Sequence, residues 1–261
     1  MFKVDAFGAA LTPTLGGKEN LVLARSKEKD SAAIEPHEIL FSRLKGLGQI
    51  EVSGSGSGRY GLALERALGI EANSSKDADF MGIERKTKCG PTLQTLFSRI
   101  PSRYCSYDNK NLFFERHATY DAKRNLRAMY TSFCNVPDSF GLSLGVSGPK
   151  SVVFCRGVPV MEYDAETIEE ALLSKHSQTA FIEVVPSKMG GKETIVIKAV
   201  RYCKWPSILR FLNLVENGQV FLDFTLSEKA GKVKDHGFLW RIRSESIEPL
   251  YLQYQSVGGN A

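Results

Sequence analysis

Apolar residues recur at helical spacing in four stretches of this chain and follow strand patterns through most of the remainder. From Pro36, the residues Ile39, Leu40, Leu44 and Leu47 fall near one side of a helix with Gly46 near its end. A second amphipathic helix is expected from about Tyr60 to Leu68 and a third from Ala165 to Lys175. A fourth should run from Ser207 to Glu216, started by Trp205-Pro206 and stopped by Asn217-Gly218. Strand patterns cover Asn111 to Tyr120 and Leu126 to Phe133, on either side of the turn Asp121-Ala122-Lys123-Arg124-Asn125. Val152 to Tyr163 follows the break Ser147-Gly148-Pro149, and the loop Lys188-Met189-Gly190-Gly191-Lys192 joins Thr179–Val185 to Glu193–Cys203. Val220 to Leu226 and Phe238 to Ile242 complete the set, and the middle strands read as antiparallel.

The sum is a mixed α/β (α+β) chain with more strand than helix. Short connections argue against widely separated domains. Residues 1–34 show no clear periodicity, carry the charged run Lys27-Glu28-Lys29-Asp30, and read as an arm or lead-in. Ser53-Gly54-Ser55-Gly56-Ser57-Gly58 has linker composition, but a helix follows at once, so it reads as a glycine-rich loop inside one unit spanning 35–261.

The 261 residues suffice for a substantial core. No run of about 18 uncharged apolar residues supports a membrane span, and the amino-terminal segment, broken by Asp5, makes a poor secretory signal. A cytoplasmic location is the expectation. Cys89, Cys105, Cys134, Cys155 and Cys203 are odd in number and far apart, which argues against a disulfide framework or a zinc knuckle. The net charge of +5 and a pI near 8.9 suit a polyanionic partner without requiring one.

The chemistry concentrates in Asp79-Phe80-Met81-Gly82-Ile83-Glu84-Arg85-Lys86. In a strand, Glu84 and Lys86 point to one side, and a turn upstream could swing Asp79 alongside. Two carboxylates beside a lysine suit Mg²⁺, a hard cation that selects oxygen donors and keeps several waters. A surface strand with ordinary charges would show the same triplet, so its setting matters.

That setting is Gly61-Leu62-Ala63-Leu64-Glu65-Arg66-Ala67-Leu68-Gly69-Ile70-Glu71-Ala72-Asn73, followed by the Asp79–Lys86 stretch. Together they resemble the catalytic core of the MvaI/BcnI restriction endonucleases, relatives of the nickase MutH in the PD-(D/E)xK nuclease superfamily. The family pattern runs G-x-x-L-E-x-x-L-G-I, a polar turn, then D-F-x-G-I-E-x-K. A weaker likeness to the family's D-H-G-x-x-F-R-I element appears at Lys234-Asp235-His236-Gly237-Phe238-Leu239-Trp240-Arg241-Ile242. The resemblance implies a restriction-endonuclease-like core, a central mixed sheet flanked by helices, with a strand-rich DNA-recognition part. The catalytic part is then about 35–135 and the recognition part about 136–261.

By the same resemblance, Asp79 and Glu84 are Mg²⁺ ligands, Lys86 positions or activates the attacking water, and Glu65 is a third acidic group near the metal. Asp77 competes with Asp79 through the longer spacing of MutH-like enzymes, but Phe80-Met81-Gly82 follows Asp79 in the family's order. Glu65 could instead form a salt bridge with Arg66 or Lys86. Arg85 departs from the small or apolar residue usual there, and on a central strand it would need a partner. Asp235, His236, Arg241 and Arg243 carry base-reading chemistry in one stretch, while Lys229, Lys232 and Lys234 suit phosphates. The expected activity is Mg²⁺-dependent, sequence-specific hydrolysis of double-stranded DNA by a monomer at a short near-palindromic site. A MutH-like nickase or repair nuclease and a non-catalytic DNA-binding module are the alternatives.

Overall fold

The computed structural model describes residues 34–56, 58–70 and 80–258, excluding the side chain of His236. Residues 1–33, and with them most of the expected arm, lie outside the described residues. Helix α1 (Pro36–Gly46) buries Leu40, Phe41 and Leu44, and Glu35 and Glu38 form a reciprocal capping box at its start. Helix α2 (Arg59–Ala67) follows the glycine-rich loop and buries Ala63 and Leu64.

Both helices pack on one face of a five-stranded mixed sheet made of β1 (Ile50–Glu51), β2 (Glu84–Cys89), β10 (Gln178–Met189), β11 (Lys192–Pro206) and β14 (Tyr251–Gly258). β2 runs parallel to β10, β10 and β11 form a long hairpin, and β1 and β14 share the other edge of β11. Alternation along β10 explains its near-continuous apolar run. Ala180, Ile182 and Val184 enter the core under α1 and α2, whereas Phe181 enters the larger core behind the sheet. This sheet draws strands from both sides of residue 135.

The larger core is shared with two antiparallel sheets. One orders β3 (Gln94–Ser98), β13 (Lys232–Ile242), β12 (Val220–Lys229), β6 (Leu126–Phe133) and β5 (Thr119–Asp121). The other orders β4 (Arg103–Tyr104), β9 (Val158–Asp164), β8 (Lys150–Cys155) and β7 (Leu142–Ser147). Helices α3 (Lys110–His117), α4 (Ala165–His176), α5 (Ile208–Glu216) and α6 (Ile247–Leu250) contribute to the same core. Trp240 sits within it, with Tyr163 edge-on at 4.9 Å and Phe97 stacked at 6.0 Å.

Two expectations need correction. Asn111–Tyr120 is mainly helix α3, because the Asn109 side chain accepts from the amides of Asn111 and Leu112 and adjacent Phe113 and Phe114 are both buried. Val152–Tyr163 is two strands, not one, because Arg156 and Gly157 both take positive φ and reverse the chain between β8 and β9.

Candidate active site

Glu84 opens β2, and what precedes it is a tight reversal. Phe80 and Ile83 exchange backbone hydrogen bonds of 3.1 and 2.8 Å, and Met81 and Gly82 between them have φ of 48° and 83°. Positive φ at both central positions is the geometry of a two-residue hairpin turn, which explains a glycine at the second. Phe80 and Ile83 are buried in the smaller core, so the turn is anchored by packing as well as by hydrogen bonds. Asp79, Asp77 and the remainder of 71–79 lie outside the described residues.

Along β2 the side chains separate by face. Glu84, Lys86 and Lys88 share one side and Arg85, Thr87 and Cys89 the other. Lys86 Nζ lies 2.6 Å from Glu84 Oε1, both partly exposed. Behind them, Thr179 is the Cα partner of Glu84 and Phe181 that of Lys86. Tyr251 is buried nearby. Its hydroxyl is raised well above its ordinary pKa by burial, and the Glu84 charge acts in the same direction.

Arg85 is buried on the opposite face, where its guanidinium approaches Glu65 Oε1 of α2 at 3.8 Å. Glu65 therefore joins Arg85 rather than Arg66 or Lys86, and Arg66 donates instead to Ser53. The same contact identifies a carboxylate partner for the cation that departs from the family pattern. Among the described residues no three His, Cys, Asp or Glu side chains gather as a ready metal cage. Glu84 does offer a hard oxygen donor, partly open to solvent, which is the chemistry a hard divalent cation selects.

His176 links this face to the antiparallel sheet. It is fully buried, with Nε2 2.6 Å from the Leu96 carbonyl and Nδ1 3.0 Å from Thr179 Oγ1. A carbonyl only accepts, so Nε2 carries the proton and Nδ1 accepts from the Thr179 hydroxyl. Burial pushes the His176 pKa down to about 4, and the Lys86 charge acts in the same direction. Nothing in the sequence marked this histidine, because its role depends on a strand eighty residues away.

The DNA-reading candidates divide between the two ends of one hairpin. Lys229 and Lys232 face each other beside the Ala230-Gly231 turn, and Lys234 is exposed opposite Ser227. Like charges paired directly across strands are unfavourable unless an anion comes between them. Asp235 accepts from Lys110 at 3.3 Å and from the Gly237 amide at 2.6 Å. Arg241 donates to Asp223 at 2.7 Å and to the Leu93 carbonyl. Arg243, exposed just past the end of β13, lies over the ring of Phe221, the cross-strand partner of Arg241. Nine residues of strand, about 30 Å, separate Lys232 from Arg241, so these cations form two groups rather than one cluster.

A mixed sheet carrying Glu84-x-Lys86 on one strand, joined to antiparallel sheets that carry a basic hairpin, is the fold of a restriction endonuclease. The solved complex of restriction endonuclease MvaI with its cognate DNA aligns over 86% of this chain and 99% of that chain, with a TM-score of 0.69 at 17% identity. MvaI without DNA aligns over 87% of this chain and 99% of its own, with a TM-score of 0.51 at 17% identity. The model of the MvaI/BcnI restriction endonuclease family matches residues 39–251, and the chain belongs to that family of sequence-specific, type II deoxyribonucleases. No curated protein matches it.

Proposed function

We propose that this protein is a Mg²⁺-dependent endonuclease that hydrolyses phosphodiester bonds of double-stranded DNA at a short near-palindromic site, acting as a monomer. The observation that carries the reading is the 2.6 Å pairing of Lys86 Nζ with Glu84 Oε1 on one face of β2. In-line hydrolysis needs an attacking water in place, a cation on the developing charge, and help for the departing 3′ oxygen. Glu84 and Asp79 would hold the Mg²⁺, which would supply Lewis acidity at the phosphate. Lys86 orients the water and its charge eases loss of the water's proton to solvent, and the products carry a 5′-phosphate and a 3′-hydroxyl. The Phe80–Ile83 reversal supports a site at the start of β2, because the turn leads directly into Glu84. Glu65 acts one step removed, through Arg85.

Sequence is read by Asp235, His236, Arg241 and Arg243, with Lys229, Lys232 and Lys234 on phosphates. The Asp235 bond to the Gly237 amide supports this, since it shapes the backbone on either side of His236. Digesting unmodified DNA of high sequence diversity with Mg²⁺ and mapping the ends tests the reading. A single recurrent site with 5′-phosphate ends is expected, and random ends or intact DNA would overturn it.

A further inference from the structure

Two residues beyond Lys86, and on the same side of β2, Lys88 enters a cleft of about 420 Å³ lined by Gly90, Pro91, Glu183, Lys198, Arg201 and Ser244, among others. Lys88 is the Cα partner of Glu183 on β10. Both oxygens of Glu183 are already engaged, Oε1 by Lys198 at 2.8 Å and Oε2 by Arg201 at 3.7 Å. The Lys88 ammonium therefore has charge attraction to Glu183 and to exposed Glu245, but no hydrogen-bond acceptor among the described residues. Burial, and then the Arg201 charge, push its pKa down. Three cations gathered around one carboxylate, two of them paired with it and the third on a largely buried side chain without an acceptor, are unfavourable in the free protein and complementary to an anion. Arg201 is held in place by donating to the Ser244 carbonyl at 3.1 Å.

We propose that Lys88 and Arg201, with Lys198 at the rim, hold a DNA backbone phosphate next to the one on which Glu84 and Lys86 act. The proposal rests on the hydrolytic reading above for the identity of that neighbouring phosphate. Two residues of strand carry Lys88 about 7 Å beyond Lys86, the scale of one nucleotide step along a backbone. Lys88 and Arg201 are positioning residues, fixing which bond meets Glu84 and Lys86.

The test combines variants with single neutral phosphates. Metal-free binding to a duplex containing the mapped site, or a mixed-sequence duplex if none is found, is measured across salt for wild type, Lys88→Met, Arg201→Met and Lys198→Met. Loss of one phosphate contact should lower the salt slope by about 1 for Lys88→Met or Arg201→Met. In wild type, a methylphosphonate at the phosphate beside the scissile one should weaken binding about tenfold, whereas Lys88→Met should be indifferent to it and still respond to methylphosphonates elsewhere. Methionine retains the apolar stem, so Lys88→Met should melt no lower than wild type. Should either variant fail to fold, Lys198→Met and the wild-type methylphosphonate scan still decide the matter. An unchanged salt slope together with a flat scan beside the scissile bond overturns the proposal. Inorganic phosphate that raises the melting temperature in a Lys88-dependent way, with a flat scan, assigns the cleft to free anions and also overturns it. Wild type that binds with the Lys88-dependent slope and scan but never cuts would retain the phosphate site while removing the hydrolytic reading. Normal site-specific cutting with no Lys88 dependence would do the reverse.

Discussion

Acid should destabilise this protein through His176, by an amount that follows from its position. The native ring is held neutral in a dry site between the Leu96 carbonyl and the Thr179 hydroxyl, with a pKa of about 4 against 6.5 for an ordinary histidine. Between these values the unfolded chain takes up a proton that the native state refuses, so stability rises with pH across the window and falls as pH is lowered through it. The contribution is fully present above 6.5 and lost once pH has fallen through about 4. At about 1.4 kcal/mol per unit, the whole window is worth about 3 kcal/mol. Urea unfolding of wild type and His176→Gln from about pH 7 to about pH 4 measures it. Glutamine retains an N–H donor for Leu96 but does not titrate. Asp121, Glu162, Glu183 and Glu193, whose pKa values are all lowered by hydrogen bonds to cationic side chains, lose stability in acid in both proteins and cancel in the comparison. Wild type should lose about 3 kcal/mol more than the variant over this range. Parallel curves, or an NMR titration of the His176 ring near 6.5, would refute the reasoning.

Glu84→Ala and Lys86→Ala should each abolish cutting while leaving duplex affinity within a few-fold of wild type, measured by gel assay and anisotropy; normal cutting by either would place the chemistry elsewhere. Arg241→Met strips the partner from the buried Asp223 carboxylate and should cost about 2 kcal/mol, reduced from the fully buried case because Arg241 is partly solvated. Adding Asp223→Asn should restore most of that loss in a double-mutant cycle. Gly237→Ala should cost about 1–3 kcal/mol, since φ is +104° and a Cβ would stand 2.5 Å from Ser98 Oγ; adding Ser98→Gly should relieve the contact but not the backbone strain.

Helices α1, α2, α4 and α5 were legible in the sequence because each has periodic apolar residues and a clear start or stop, as with Ser207 capping α5 and Asn217-Gly218 ending it. Helix α3 was not, because Phe113 and Phe114 are adjacent and a single Asn109 cap decides the matter. Strands β3, β7 and β14 also escaped notice. Tyr251–Gly258 is exposed along most of its length and becomes a strand only because β11 offers it an edge. Glu84 and Lys86 could be placed on one face from strand alternation alone, and Lys88 extends the same alternation. Arg201, Glu183 and His176 could not be foreseen, since register between β10, β11 and β2 brings them together and no local pattern encodes it.

On the proposed assignment, that register also ties the strand of Glu84 and Lys86 to the β12–β13 hairpin. Only Gly90, Pro91, Thr92 and Leu93 lie between β2 and β3. This link is pinned at its β3 end, where Ser244 donates to the Thr92 carbonyl and Arg241 to that of Leu93. From β3 the Leu96 carbonyl receives His176, which accepts from Thr179 beside Glu84. Phe181, Cys203 and Tyr251 of the mixed sheet lie in the same core as Phe224, Phe238 and Trp240 of the β12–β13 hairpin. A close-packed interior resists gradual deformation, so the hairpin cannot shift against β2 without repacking that core. Contacts made by the hairpin with DNA would therefore set which phosphate reaches Glu84 and Lys86, with the distance between reading and cutting fixed by packing.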